Sequence, residues 1–325
     1  MADVSVITVN WNTKVLLKEC LASVYADPPP FDLEVIVIDN GSEDGSVEML
    51  RSDFPQVRLI VNSTNEGFAK PNNDGINAST GRYVFLLNSD TVVHPGAIAQ
   101  LTMFLDTHTE VAACGPMLLN PDGTVQHSVK GFPSVWTHAC DMLFLDRLFP
   151  HSRLFGRGEM AYFSYERTQE VDHLMAAAFL VRREVINQVG LFDQRFSIYY
   201  NDMDWCYRMR SQGWKIYYVH SARVTHYLGQ TIAQVNKEFR YFRELHENIM
   251  LFYQKHYGSS AVMFYKLLLA IGFSFRTVAW WAVRCMKPTE KSRHMAVFSG
   301  KTLLIGLGFW KPFKMTASQE AGPHE

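Results

Sequence analysis

The chain lacks the patterns that mark several common kinds of protein. Its five cysteines (Cys20, Cys114, Cys140, Cys206 and Cys285) are odd in number, widely spaced and include no Cys-x-x-Cys pair. That argues against a disulfide framework and against a zinc site, and it suits a reducing compartment. No Gly-x-Gly-x-x-Gly opens the first helical segment, so a dinucleotide dehydrogenase is disfavoured. Ser299-Gly300-Lys301-Thr302 ends like a phosphate-cradling loop, but Met295 stands where the first glycine is required and no buried strand leads in. There is no internal repeat or low-complexity tract. A basic stretch followed by an apolar one is missing from the N-terminus, where residues 4–9 begin a strand almost at once; the folded part is expected to stay in the cytoplasm. From Ala261 to Met286 the chain is apolar, yet Lys266, Arg276 and Arg284 leave no uncharged run of the ~20 residues that a spanning helix requires.

What is present is an apolar fraction of 47% over 325 residues, ample for a packed α/β core. The net charge of −1 conceals an asymmetry: up to Glu247 there are 21 basic and 29 acidic residues, and beyond it 10 basic and 3 acidic. The two parts are therefore expected to meet different surroundings. Residues 4–9, 33–38, 57–61 and 83–87 are compact apolar runs that predict buried strands. Helical segments are expected between them, at 13–25, 45–52 and 68–78. In the first, Leu16, Leu17, Cys20, Leu21 and Val24 fall at helical spacing. Such alternation predicts a mainly parallel, doubly wound sheet whose ligands sit beyond the carboxyl ends of its strands. A polar cluster follows each run: Asn10-Trp11-Asn12, then 39–45, 65–70, and Asn88-Ser89-Asp90. Any one reads as a turn; four in succession at one sheet edge read as a site. Residues 131–170 are aromatic-rich and irregular, a loop or helical insertion expected near the acceptor side. A strand is expected at 179–181, a helix at 202–212 closed by Gly213, and a last strand at 215–219.

These residues carry a family resemblance. Val6-Ile7-Thr8-Val9-Asn10-Trp11-Asn12, Val37-Ile38-Asp39-Asn40-Gly41-Ser42 and Asn65-Glu66-Gly67-Phe68-Ala69 resemble the opening motifs of family 2 glycosyltransferases with a GT-A fold. Leu86-Leu87-Asn88-Ser89-Asp90 is similar to that family's variant of the Asp-x-Asp motif. Gly190-Leu191-Phe192-Asp193 leading to Tyr200-Asn201-Asp202-Met203-Asp204-Trp205-Cys206 resembles its acceptor-side segment, and His226-Tyr227-Leu228-Gly229-Gln230-Thr231 its late metal-site segment. The match runs in order over about two-thirds of the chain and is nearest the bacterial rhamnosyltransferase-like branch. The resemblance implies a GT-A domain, Rossmann-like and mainly parallel, expected over residues 1–255; the pattern of the remaining residues, 256–325, predicts a C-terminal helical amphipathic extension. It also implies an inverting hexosyltransferase acting on a nucleoside-diphosphate sugar.

Elementary chemistry assigns roles within that frame. Charge grows on a departing diphosphate, and Mg²⁺ or Mn²⁺ held by carboxylate oxygen neutralises it. Asp90 is the expected metal ligand, with His226 as a second ligand or a direct diphosphate partner. The bland alternative for Asp90 is a helix N-cap before Pro95-Gly96, and for His226 a structural histidine. Asp39 can accept from the N3–H of a uracil or thymine, or close an Asx turn with Ser42, and the two can coexist. Val9 and Trp11 are expected to wall the base pocket, and Asn88 to join the donor site. Lys70 and Asn73 can reach the diphosphate; the alternative for Asn73 is that it only fixes the loop. An acceptor alcohol needs a base, and Asp202 matches the aspartate of the family's Glu-Asp pair. Asn201 replaces the glutamate, a departure that touches the base's setting. Asp204, about 200° around a helix, is turned away from the task.

The tail completes the expectations. Lys266, Arg276, Arg284 and Lys287 fall in one sector of about 80° at helical spacing, and Phe, Leu, Ile, Val and Trp fill the rest. That pattern predicts a helix lying in a membrane interface through residues 258–314, at the cytoplasmic face and close to a lipid-linked saccharide acceptor of cell-surface polysaccharide synthesis. The alternative is packing on the domain or in a dimer; nucleic acid is not an expected partner. Two rival functions stand beside the transferase, a nucleotidyltransferase-like nucleotide-sugar enzyme and a catalytically silent nucleotide-sugar binder.

Overall fold

The computed structural model describes residues 2–196, 199–227 and 238–308. Positions 228–231 of the late motif, and 309–314 of the tail with Phe309 and Trp310, lie outside the described residues. The chain opens with β1 (Val4–Asn10), α1 (Lys14–Ala26), β2 (Leu33–Asp39), α2 (Ser46–Asp53), β3 (Arg58–Val61), α3 (Ala69–Ala78) and β4 (Tyr83–Leu87). It continues through β5 (Thr91–Val93), α4 (Ala97–Thr107), β6 (Val111–Leu119), β7 (Val129–Lys130), α5 (Val135–Met142) and α6 (Leu145–Leu148). Then come β8 (Gln169–Glu170), β9 (His173–Leu174), β10 (Ala178–Arg182), α7 (Arg183–Val189), α8 (Asn201–Ser211) and β11 (Lys215–His226). The last described helices are α9 (Glu238–His256), α10 (Ser259–Met286) and α11 (Glu290–Gly306).

Two compact units form, one of Met1–Phe132 with Phe163–Val235, the other of Pro133–Tyr162 with Asn236–Glu325. The boundary expected after residue 255 therefore falls inside the second unit. The first unit is built on one mixed sheet of order β3-β2-β1-β4-β10-β6-β11-β5, with β8 also on β11. Strands β3, β2, β1 and β4 run parallel, so Val61, Asp39, Asn10 and Leu87 end along one edge, as the alternation predicted. Val4, Val6 and Ile7 are fully buried, and Leu17, Cys20, Leu21 and Val24 form the inward stripe of α1. Burying one such side chain contributes roughly 1.5–3 kcal/mol. On the other face α3 lies so close to β1 that a Cβ on Gly75 would come within 2.6 Å of Ile7 Cγ2.

The second half of this sheet departs from the parallel pattern. Strand β10 is antiparallel to both β4 and β6, and β11 runs to His226, well past the expected end at 219. The extension follows from a bulge. Pro116 in β6 has no N–H to offer its neighbour, and the β6–β11 register shifts just after Val219 meets it, resuming at Arg223. That second stretch of β11 carries His226 to the edge beside β5.

In the second unit, the stretch expected to be a loop or helical insertion includes a well-formed helix. Ser134 accepts from Thr137 N–H while the Thr137 hydroxyl accepts from Ser134 N–H, a capping box for α5. Helix α10 buries Ala261, Tyr265, Leu269 and Phe273 and exposes Phe264, Leu267, Ile271, Phe275 and Val278. Against the expectation drawn from Lys266, Arg276 and Arg284, α10 is by length and composition long and apolar enough to cross a membrane. The expected cationic stripe is not free along its whole length: the Arg276 guanidinium lies 4.7 Å from the Phe144 ring and 4.9 Å from the Phe273 ring. Burial depresses the histidines inside this unit. His138, bonded to the Tyr253 hydroxyl at 2.5 Å, falls to about 4, and His246, bonded to the Tyr265 hydroxyl, falls to about 3. All five cysteines are free.

Candidate active site

The parallel strands end in an interlocked polar edge. Asp39 is fully buried; its Oδ1 accepts from Ser42 N–H at 2.9 Å, the Asx turn, and its Oδ2 accepts from Asn10 Nδ2 at 2.9 Å. Asn10 Oδ1 accepts from the Thr13 hydroxyl at 2.7 Å, and Thr13 Oγ1 lies 2.9 Å from Ser89 Oγ. Because Thr13 donates its proton to Asn10, Ser89 must be the donor to Thr13. A directed chain thus runs from Ser89, beside Asp90, to the carboxylate of Asp39. Asp39 thus closes the expected Asx turn, each of its oxygens accepting one hydrogen bond. Gly41 makes that turn possible, with φ at +78° and the space for a Cβ taken by Thr64 Cα at 2.9 Å. Asn40 staples the neighbouring loop by donating to Asn65 Oδ1 and Gly67 O and accepting from Asn62 Nδ2 and Glu66 N–H. Val9 and Trp11 are half-buried at this edge.

Two predicted donor contacts have other partners. Asn73 donates from Nδ2 to Phe192 O at 2.9 Å and accepts Phe192 N–H at 3.0 Å, so its amide is committed to fixing the 190–193 loop. Lys70 is paired with Glu66 at 2.6 Å and Asp74 at 2.9 Å, and would have to leave both to reach a phosphate. Sequence reasoning missed the clamp on the other side of that loop. Arg208 is ion-paired with buried Asp204 at 2.9 Å and donates to the carbonyls of Val189, Gly190 and Leu191, while Trp205 Nε1 donates to Gly190 O at 2.8 Å. Asp204 is thus structural, in keeping with its expected angle around α8.

Asp90 follows β4 at 6% exposure, and its carbonyl accepts from Tyr227 N–H at 2.9 Å. It caps no helix; Asp27 takes the Gly96 N–H that begins α4. His226 Nε2 lies 3.4 Å from Asp90 Oδ1. His226 Nδ1 is 2.8 Å from Gln126 Oε1, and the Gln126 amide is oriented by donating from Nε2 to Asn120 Oδ1 at 3.0 Å. His226 Nδ1 therefore carries a proton toward Gln126, and Nε2 faces Asp90. Among the described residues no group of three or more acidic, histidine or cysteine side chains forms a cage for a metal. Two protein ligands with phosphate and water in the remaining positions are the arrangement that Mg²⁺ and Mn²⁺ favour in phosphate chemistry, and the pair fits it. Gln126, a hundred residues from the histidine it orients, left no signal in the sequence pattern.

Asp202 lies in the first turn of α8, after Tyr200 in the left-handed region at φ +71°. Its side chain is 23% exposed; Oδ1 accepts from Met203 N–H at 2.8 Å and Oδ2 from Ala176 N–H at 3.2 Å. Burial pushes its acidity down, but the charge and contact of His173 and the two amides outweigh it and hold the carboxyl below its ordinary range. Asn201, in the position of the family glutamate, is 2% exposed. The two acids are joined through consecutive residues: Asn88 N–H donates to Ala177 O at 2.9 Å, and Ala176 N–H holds Asp202.

Residues 2–243 match the family described as Glycosyltransferase like family 2. The N-acetylglucosaminyl-diphospho-decaprenol L-rhamnosyltransferase of Mycobacterium tuberculosis (strain ATCC 25618 / H37Rv) is 30% identical over 244 residues, 70% of this chain and 77% of the relative. The O-antigen biosynthesis protein RfbC of Myxococcus xanthus is 28% identical over 65% of this chain, which spans only 16% of that protein. Among solved structures, S. aureus TarS 1-349 aligns with a TM-score of 0.52 at 14% identity, over 94% of this chain and 80% of that one. GalNAc-T7 with UDP, GalNAc and Mn²⁺ aligns with a TM-score of 0.52 at 16% identity, over 70% of this chain and 44% of that one. These structures share the GT-A fold.

Proposed function

The chain belongs to the family 2 glycosyltransferases, and from that premise we propose that it transfers a sugar, with inversion, from a nucleoside diphosphate to a hydroxyl of a lipid-linked saccharide. dTDP-L-rhamnose is the proposed donor, with a UDP-sugar as the alternative. An N-acetylglucosaminyl-diphospho-polyprenol is the proposed acceptor, by likeness to the mycobacterial relative. The observation that carries the reading is the short path between the two acids, Asn88 to Ala177 and Ala176 to Asp202. It supports one cleft with a metal-binding side and a proton-accepting side.

In this reading Asp202 takes the proton of the acceptor hydroxyl, and the oxygen attacks the anomeric carbon from the face opposite the diphosphate. Asp90 and His226 would hold Mg²⁺ or Mn²⁺, and the ion would supply positive charge against the departing diphosphate. Val9 and Trp11 wall the base, Asn88 lies beside the donor, and Asp39 supports the pocket through its turn. Lys70 is retained only as a residue that exchanges carboxylate partners for phosphate on donor binding. The exposed apolar face of α10 supports attachment to the cytoplasmic leaflet, where the acceptor is anchored.

The test is a panel of nucleotide sugars screened for Mg²⁺-dependent thermal stabilisation and then for transfer to N-acetylglucosaminyl-diphospho-polyprenol. The expected result is stabilisation by dTDP-L-rhamnose and release of dTDP. Release of pyrophosphate would instead mark a nucleotidyltransferase, and stabilisation without turnover a silent binder.

A further inference from the structure

Behind the Asp202 carboxylate lies a side chain that the mechanism above leaves without a task. His173 is 5% exposed, and its Nε2 is 3.4 Å from Asp202 Oδ2. Neither ring nitrogen makes a hydrogen bond of good geometry among the described residues. Leaving a buried polar group in that condition costs about 1–3 kcal/mol, so an idle role is unfavourable. The position is defined by backbone pairing: β9 lies antiparallel to β7, with His173 opposite Lys130 and Leu174 opposite Val129. Three residues further on, Ala176 N–H reaches the same carboxylate oxygen at 3.2 Å. Residues 173–176 therefore meet Oδ2 at two points, an amide hydrogen bond and a close imidazole, while Met203 N–H holds Oδ1.

We propose that His173 is the positioning residue of the general base, fixing Asp202 Oδ2 from inside the fold so that the remaining lone pairs of the carboxylate face the acceptor hydroxyl. The inference rests on the reading of Asp202 as that base. His173 acts through Asp202 and does not itself meet the substrate. Electrostatics agrees with the geometry: burial favours the protonated acid, and His173 supplies the largest opposing influence, ahead of the two amides. The other charged groups around α8 are engaged elsewhere or lie toward solvent. From α7, Arg183 donates to the Gly81 and Ile76 carbonyls, and Glu184 lies toward Arg182. From β11, Lys215 pairs with Glu110, His220 bonds the Tyr165 carbonyl, His226 bonds Gln126, and Arg223 is exposed. On β9's approach Asp172 is half-exposed, and on α8 itself Arg208 pairs with Asp204 and the Cys206 thiol is pushed up by burial.

The experiment compares the full chain with His173→Phe, His173→Gln and Asp202→Asn. The ¹³Cγ resonance of Asp202, assigned by its absence in Asp202→Asn, is followed against pH, and kcat/KM is profiled with dTDP-L-rhamnose and N-acetylglucosaminyl-diphospho-polyprenol. In His173→Phe the carboxyl midpoint is expected to rise by about one pH unit, carrying the acid limb of the profile with it and leaving donor KM unchanged. His173→Gln, which keeps a donor but no charge, recovers kcat while the midpoint stays raised; it also serves if the Phe variant fails to fold. A wild-type midpoint and acid limb in the Gln variant, or in a folded Phe variant, overturn the proposal. Transfer that survives in Asp202→Asn overturns the base reading itself, a separate outcome.

Discussion

The two units put polar groups in the interior to opposite ends. In the sheet unit, buried Ser89, Thr13, Asn10 and Asp39 bond one another in a directed chain, and nearby carboxylates keep part of their surface for a ligand. In the helical unit, buried His138 and His246 are driven toward neutrality against tyrosine hydroxyls, while large apolar side chains of α10 are left outside. One interior is arranged to present charge, the other to suppress it and turn an apolar face outward. If the proposed chemistry belongs to the first unit and the proposed attachment to the second, substitutions should split them.

The largest effect is expected from Asp202→Asn, with a kcat loss of about 10²–10⁴-fold and unchanged association with anionic liposomes. Rapid-quench transfer assays beside liposome sedimentation check it. Acid should single out the helical unit. A histidine whose folded-state acidity constant lies below its usual 6.5 contributes stability that is complete above that pH and lost as pH falls toward the folded value. His138 and His246 together are expected to remove several kcal/mol, on the order of 3 each, between pH 6.5 and about 4. Denaturant titrations of wild type against His138→Gln in that window read the loss, and a pH-independent midpoint would contradict it.

Smaller effects sharpen the contrast. Gln126→Leu frees the His226 ring and should weaken Mn²⁺ binding with dTDP by about 10–100-fold, read by electron paramagnetic resonance, at a stability cost of about 1–3 kcal/mol for the stranded imidazole N–H. Phe275→Glu on the exposed face of α10 should lower liposome partitioning by about tenfold and leave donor hydrolysis intact. Asn73→Ala strands the Phe192 backbone groups and should cost about 1–3 kcal/mol of stability in urea.

How much of this was legible follows from which signals are local. Strands β1 to β4 were readable because each is a short apolar run bounded by polar residues, and the edge they share named Asp90 and Asp39. Asp202 and His226 came from motif resemblance. Strand β6 was hidden by Gly115-Pro116, which reads as a break although every residue of the strand is buried. The far half of β11 was hidden with it, since the bulge opposite Pro116 is a pairing event. Gln126 and His173 were invisible because each acts on a side chain far along the chain. Glu66 and Asp74 stand four residues either side of Lys70, so that pairing is legible in the sequence, whereas the Phe192 backbone that Asn73 holds lies far along the chain.

The central claim is that Asp90 and Asp202 border one bound nucleotide sugar. Paramagnetic broadening tests it most directly: Mn²⁺ and dTDP are added to protein labelled with ¹³C in aspartate and histidine. The account predicts that the Asp202 carboxyl signal broadens along with the His226 imidazole and recovers in Asp90→Asn. Broadening confined to His226, with Asp202 unaffected, would contradict it.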